Sequence, residues 1–283
     1  VGVDGVNPFA QLVVRARDGG LIVSGTVLER RESFGEAHMT GFEDLIQSRG
    51  DIRVVNLSLG YNWGNARVDQ DTNTTAQELV AEQGALFRTL QIILSRTVDL
   101  PLVVPTSGND SNSGFGTQAA RWNSPFSYAG LVLDPPDLDD VSNIIVVESV
   151  ARDIGGEGDA TRSNFSNIGG NISAPGSNIV STISGNNYDS FSGTSMAAPH
   201  VTGLISYLYS VDPALTHAQV RELLFNNSVP VGGDASNRID AYTTVLDIDR
   251  IRRNGRVRGL LLDVTNNGTL TEDDIQVYLD AFA

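Results

Sequence analysis

Two rhythms of apolar and polar positions alternate from the start of the chain to about residue 245. Short β-branched runs, such as IRVVNLS at 52–58 and LPLVV at 100–104, are separated by longer stretches in which apolar residues recur at helical spacing. Runs that are apolar at nearly every position predict strands buried on both faces, and helical stretches between them predict crossover connections. That is the pattern of an α/β fold, a mostly parallel sheet flanked by helices. The spacing predicts strands over 11–16, 52–58, 100–104 and 144–150, and helices over 34–48, 75–98, 196–210 and 216–227. Within 75–98, Leu79, Leu86, Leu90, Ile93 and Leu94 form the expected apolar stripe. Loop and short strand are expected between 151 and 190.

After Arg238 the pattern changes. An arginine-rich stretch, IDRIRRNGRVRG, precedes an acidic ending, LDVTNNGTLTEDDIQVYLDAFA. The shift predicts a main domain over 1–245 and a small helical module over 246–283. With 283 residues and 40% hydrophobic content, the chain is long enough to build one sizeable core. A net charge of −15 argues against nucleic acid or an anionic membrane surface as partner, since both would repel it. The absence of cysteine removes disulfides and thiolate metal sites from consideration.

The segment Gly193-Thr194-Ser195-Met196-Ala197-Ala198-Pro199-His200-Val201 follows a loop and opens a helix. It places Ser195 in the first helical turn, where unpaired backbone N–H groups and the positive end of the helix dipole favour an anion forming beside its hydroxyl. Upstream, Ser58-Leu59-Gly60 ends one buried strand and Ser107-Gly108-Asn109 follows another.

These segments in this order resemble the subtilase family. The GTSMAAPHV segment resembles the family's nucleophile motif, and further similarity lies in NFSN at 164–167, SAPGSNIVST at 173–182 and NRIDAY at 237–242. The resemblance covers residues 1 to about 245. It implies a subtilisin-like serine endopeptidase with Ser195 as nucleophile and Asn109 as oxyanion-hole side chain. It further implies that Ser58, Leu59, Gly60, Thr106, Ser107, Gly108 and Thr194 contact a protein or peptide substrate, and that the protein is bacterial and secreted or at the cell surface.

The family's catalytic Asp and HGTHVAG-like His motif do not occur in the sequence. The opening GVNPFAQLVVRARDGG resembles the segment that follows the family's His helix. The expectation is therefore a companion N-terminal fragment, upstream of Val1, carrying both residues. His38, His200 and His217 read as scaffold, helix and surface positions, and Asp4 and Asp18 as loop residues. The alternative is a non-catalytic subtilase-like scaffold or assembly subunit. Beyond residue 245, Asp263, Thr265, Asn267, Thr269, Thr271 and Asp274 fall at EF-hand-like ligand spacing around Gly268, resembling a single dockerin-type calcium loop.

Overall fold

The computed structural model describes residues 6–7, 10–14, 25–133, 143–151 and 160–253. Its central strands are β1 (Val54–Leu57), β2 (Leu102–Pro105), β3 (Val147–Ala151), β4 (Thr161–Arg162) and β5 (Ile172–Pro175). β1 pairs parallel with β2, β3 parallel with β5, and β4 antiparallel with β3. Parallel bridges at Val103–Ile144 and Thr106–Val147 join the two groups, giving the order β1-β2-β3-β5. A separate antiparallel hairpin, β6 (Ile179–Ile183) and β7 (Asn187–Phe191), leads into the nucleophile segment.

Helices α1 (Val27–Ser48), α2 (Thr74–Leu94) and α3 (Pro125–Leu131) cover one face; α4 (Thr194–Val211), α5 (His217–Asn226) and α6 (Ala241–Arg253) cover the other. The strands show why the apolar runs are continuous. Leu102, Val104, Ile145 and Val147 pack into the α4–α6 core, while the intervening Val103, Ile144 and Val146 pack into the α1–α3 core. Each successive side chain points to the opposite face, and both faces are covered. The fold is α/β, as expected.

Three expectations are corrected. Residues 11–14 form no strand: they pair with nothing among the described residues, and Leu12 and Val14 are 85% and 74% exposed. The remainder of that predicted strand, 15–16, lies outside the described residues. The stripe expected on α2 is also displaced, because Leu86 and Ile93 face solvent. The buried line runs instead through Ala76, Val80, Gln83, Gly84, Phe87, Arg88, Gln91 and Leu94. Gln83 is tolerated there because it accepts from Tyr61 Oη and donates to Glu32 O (2.9 Å), and Gln91 donates to Asn143 Oδ1 (3.1 Å). Third, α1 starts at Val27, seven residues before the predicted 34. Thr26 caps it, and Glu29 closes the reciprocal capping box.

The domain boundary expected near 245 falls inside α6, and Ile248 beyond it is fully buried in the α4–α6 core. Opposite, Phe87 is fully buried and meets Phe42 and Phe126 edge-on at 5.2 and 4.7 Å between centroids. Phe87→Ala is expected to cost about 3–5 kcal/mol, the range for emptying a buried aromatic site. Urea unfolding that moves by less than 1 kcal/mol, on the order of a surface change, would show that this cluster does not carry the α1–α3 face.

Candidate active site

β1 and β2 both run toward one edge of the sheet, and their ends supply the two arms of a cleft of about 240 Å³. Ser58, Leu59 and Gly60 continue β1 along one side; Thr106, Gly108 and Asn109 continue β2 along the other. Thr194 and Ser195 close one end from the first turn of α4. The arms are tied together, since Thr106 Oγ1 donates to Leu59 O (3.0 Å). Among the described residues, neither the N–H nor the carbonyl of Gly60 has a hydrogen-bond partner.

The helix start explains how Ser195 is held. Its N-cap is Gly193, which has no side chain to cap with. Asn109 does this from the neighbouring loop: its Oδ1 accepts from both Thr194 N and Thr194 Oγ1, each at 2.9 Å. Because a backbone N–H can only donate, this assigns the Asn109 amide, and Nδ2 faces the other way. A Cβ on Gly193 would stand 3.4 Å from Asn109 Nδ2 and 3.7 Å from Ser195 N. Glycine therefore leaves empty a space that two donors border.

Ser195 is clamped on its carbonyl side as well. A residue in the first turn of a helix normally gives its carbonyl to the N–H four residues on, but that position is Pro199, which has no N–H. Ser58 Oγ takes the vacancy and donates to Ser195 O at 2.9 Å. Ser58 Oγ in turn accepts from Asn56 Nδ2 (2.9 Å), and Thr202 Oγ1 reaches Asn56 Oδ1 (3.3 Å). The strand end and the helix thus fix one another through three side chains, Ser58, Asn56 and Thr202. Among the described residues, the Ser195 hydroxyl is engaged only by a long contact to Ser58 O, 3.5 Å.

The residues expected to be catalytic or to contact substrate gather in one cleft with a single exception. Ser107 is fully buried beneath it, its N–H bonded to Val147 O (2.9 Å) and its hydroxyl 3.4 Å from Ser166 Oγ. Phe34, Asn62 and Asn123 line the cleft without having been singled out in the sequence. Nothing local marks them, because α1, the loop after β1 and the turn before α3 meet only in three dimensions. Asp110, next to Asn109, is pushed up from the usual carboxylate range mainly by burial; the Gly64 N–H at 2.8 Å, Asn167 and Arg31 oppose the shift.

The histidines stand elsewhere. His200 Nδ1 lies 2.9 Å from Met196 O and His38 Nδ1 2.7 Å from Phe34 O, each within its own helix turn. His217 opens α5. Asp4, Asp18 and the calcium-loop residues Asp263, Thr265, Asn267, Thr269, Thr271 and Asp274 lie outside the described residues. Among the described residues, no cluster of three or more His, Asp or Glu could hold a metal ion, and no helix is long and apolar enough to cross a membrane.

Fold and site define an α/β protein with a serine at a helix N-terminus and a carboxamide donor aimed beside it, the layout of an acyl-transfer centre. The subtilase family profile matches residues 2–255, and the chain belongs to that family. Subtilisin-like protease 1 of Plasmodium berghei (strain Anka) is 47% identical over 107 residues, 38% of this chain and 18% of the relative. The Thermostable alkaline protease of Halalkalibacterium halodurans is 28% identical over 221 residues, 75% of this chain and 53% of the relative. The Halolysin-like extracellular serine protease Nep of Natrialba magadii is 41% identical over 91 residues, 30% and 17% of the two chains. Each alignment spans less than two thirds of the relative's own length.

Proposed function

We propose that this chain carries the nucleophile-bearing part of a secreted serine endopeptidase. The observation that carries the reading is the paired arrangement at α4: the Ser195 hydroxyl at the cleft, with Asn109 Nδ2 and Ser195 N both bordering the space that Gly193 leaves free. Ser195 Oγ attacks the scissile carbonyl carbon, and the oxygen that becomes negative is held by those two donors. A substrate in extended form pairs with the free backbone groups of Gly60.

Attack requires a base to take the Ser195 proton. The three histidines of this sequence are engaged or placed away from Ser195, so the base and its orienting carboxylate belong to a companion segment outside residues 1–283. The extracellular relative and the secreted character that the motif resemblance implies support a location outside the cell.

Treating the complete protein with a fluorophosphonate probe, then reading intact masses and peptides, tests this reading. A label on Ser195, with the His-bearing segment in the same sample, supports it. Absence of label when that segment is present would favour a non-catalytic scaffold.

The spacing of Asp263, Thr265, Asn267, Thr269, Thr271 and Asp274 supports a single calcium bound by the C-terminal loop. With two carboxylates among six ligands, binding is expected in the roughly millimolar range of extracellular modules. Calcium at millimolar levels is then expected to raise the melting temperature of the protein or the resistance of its C-terminal segment to proteolysis. No change in either on adding a chelator would remove the ion from the account.

A further inference from the structure

The NFSN segment at 164–167 stands out in the sequence, yet no step above uses it. Its last residue, Asn167, is wholly buried. The Asn167 backbone N–H donates to Gly108 O (3.0 Å), and its Oδ1 accepts from Asp110 N (2.9 Å) and Ser111 Oγ (3.2 Å). Between Gly108 and Asp110 stands Asn109.

Gly108 O belongs to the peptide group that precedes the Asn109 Cα, and Asp110 N to the one that follows it. A peptide group is planar, so the backbone at Asn109 has only two soft angles, one against each plane. Asn167 holds one polar atom of each plane. The other two, Asn109 N and O, make no hydrogen bond among the described residues. Holding both planes fixes the direction in which the Cα–Cβ bond leaves the chain, and with it the reach of Nδ2 toward Gly193.

Neighbouring bonds stiffen the grip. Ser111 N donates to Phe165 O at 3.2 Å, and Ser107 Oγ lies 3.4 Å from Ser166 Oγ. Gly108 has a φ of 104°, which favours glycine, and its bare side lies against the Asn167 amide: a Cβ there would stand 2.5 Å from Nδ2. The loop therefore has no room to shift toward Asn167.

Resting on the protease reading, we propose that Asn167 is a positioning residue for the oxyanion donor: it sets the backbone angles of Asn109 and, through them, the place of Nδ2. Thr194 grips the Asn109 amide at its far end through Oδ1. Side-chain tip and backbone are thus held by two separate elements, α4 and the 164–167 segment. Without Asn167 Oδ1, the plane between Asn109 and Asp110 loses its anchor, and the amide can swing about the Thr194 bonds. The free backbone groups of Gly60 are untouched, so the loss falls on kcat and not on substrate binding.

The test is a double-mutant cycle in the complete protein with its companion segment, read as kcat and KM on one peptide substrate. Asn167→Ala is expected to lower kcat about 10- to 100-fold with KM within about twofold, below the ceiling of about 10²–10³ for losing the Asn donor altogether. Added to Asn109→Ala, the same change is expected to alter kcat by less than about twofold, because no donor remains to be misplaced. A general weakening of the fold would lower both backgrounds alike. Ser111→Ala, which removes the second bond to Asn167 Oδ1, serves if a thermal melt shows Asn167→Ala unfolded. About a threefold loss in kcat is expected from it, again missing from the Asn109→Ala background. An unchanged kcat in the folded variant, an equal loss in both backgrounds, or a loss carried by KM overturns the assignment. A parent that neither hydrolyses peptide nor takes the fluorophosphonate label overturns the protease reading and this assignment with it. An active parent with additive losses overturns this assignment alone.

Discussion

Ser195→Ala in the complete protein is expected to lower peptide hydrolysis by about 10⁶ in kcat, the magnitude measured for the same change in subtilisin itself. The physical reason is that alanine leaves no atom to bond to the scissile carbon, while the donors around Gly193 and the substrate groove stay in place. Substrate affinity should therefore change little, and the fold least of all. Among the described residues the Ser195 hydroxyl makes only a 3.5 Å contact to Ser58 O, so its loss is expected to cost on the order of a few tenths of a kcal/mol in stability. A kcat reduced less than tenfold, with fluorophosphonate still incorporated, would place the nucleophile elsewhere.

Asn109 yields a second large effect and a sharper separation of roles. Its two polar atoms do different work: Oδ1 caps α4 through Thr194, and Nδ2 borders the space beside Gly193 where the proposed mechanism places the oxyanion. Asn109→Ala removes both, and kcat is expected to fall by about 10²–10³ with KM nearly constant; this range, too, is taken from subtilisin. Some stability goes with it, about 1–2 kcal/mol, because a half-buried helix cap is lost. Asn109→Asp keeps the cap acceptor while replacing the donor with an oxygen. It should retain more of the melting temperature than Asn109→Ala yet be at least as impaired in kcat. If Asn109→Asp were as active as the parent, donation from this side chain would have no part in catalysis.

The residues proposed to carry chemistry were legible because they are local. Gly193 to Val201 is contiguous, and the small residues, the proline and the serine each have a role that spacing alone exposes. The β2 run was legible because a parallel strand buried on both faces is apolar throughout. α2 was misread for the converse reason. Its leucines lie beside a buried line that contains Gln83 and Gln91, and a glutamine counts as polar in any periodicity until its partners are known. The run at 11–14 has the composition of a strand, but strand formation needs a neighbour to supply hydrogen bonds, and composition does not report one. Ser107 was assigned to the cleft with its neighbours, although the chain turns there and sends its side chain inward toward Ser166. The early start of α1 was present in the sequence as Thr26 and Glu29, a polar signal that an apolar pattern overlooks. Asn123 had no signal at all, since its position depends on three segments meeting.

Proline at position 199 has a meaning beyond its absent N–H. A helix that satisfies all its own carbonyls is self-contained, and it can slide or rotate by a fraction of an ångström without its neighbours registering the change. By leaving one carbonyl without an internal donor, Pro199 makes α4 dependent on the sheet at the very residue whose placement matters most. The Ser195 hydroxyl is then located by the β1 strand end as much as by the helix that bears it. Any strand laid against the outer edge of β1 would be mechanically connected to Ser195 through Asn56 and Ser58, so assembly of the sheet and alignment of the serine would be a single event.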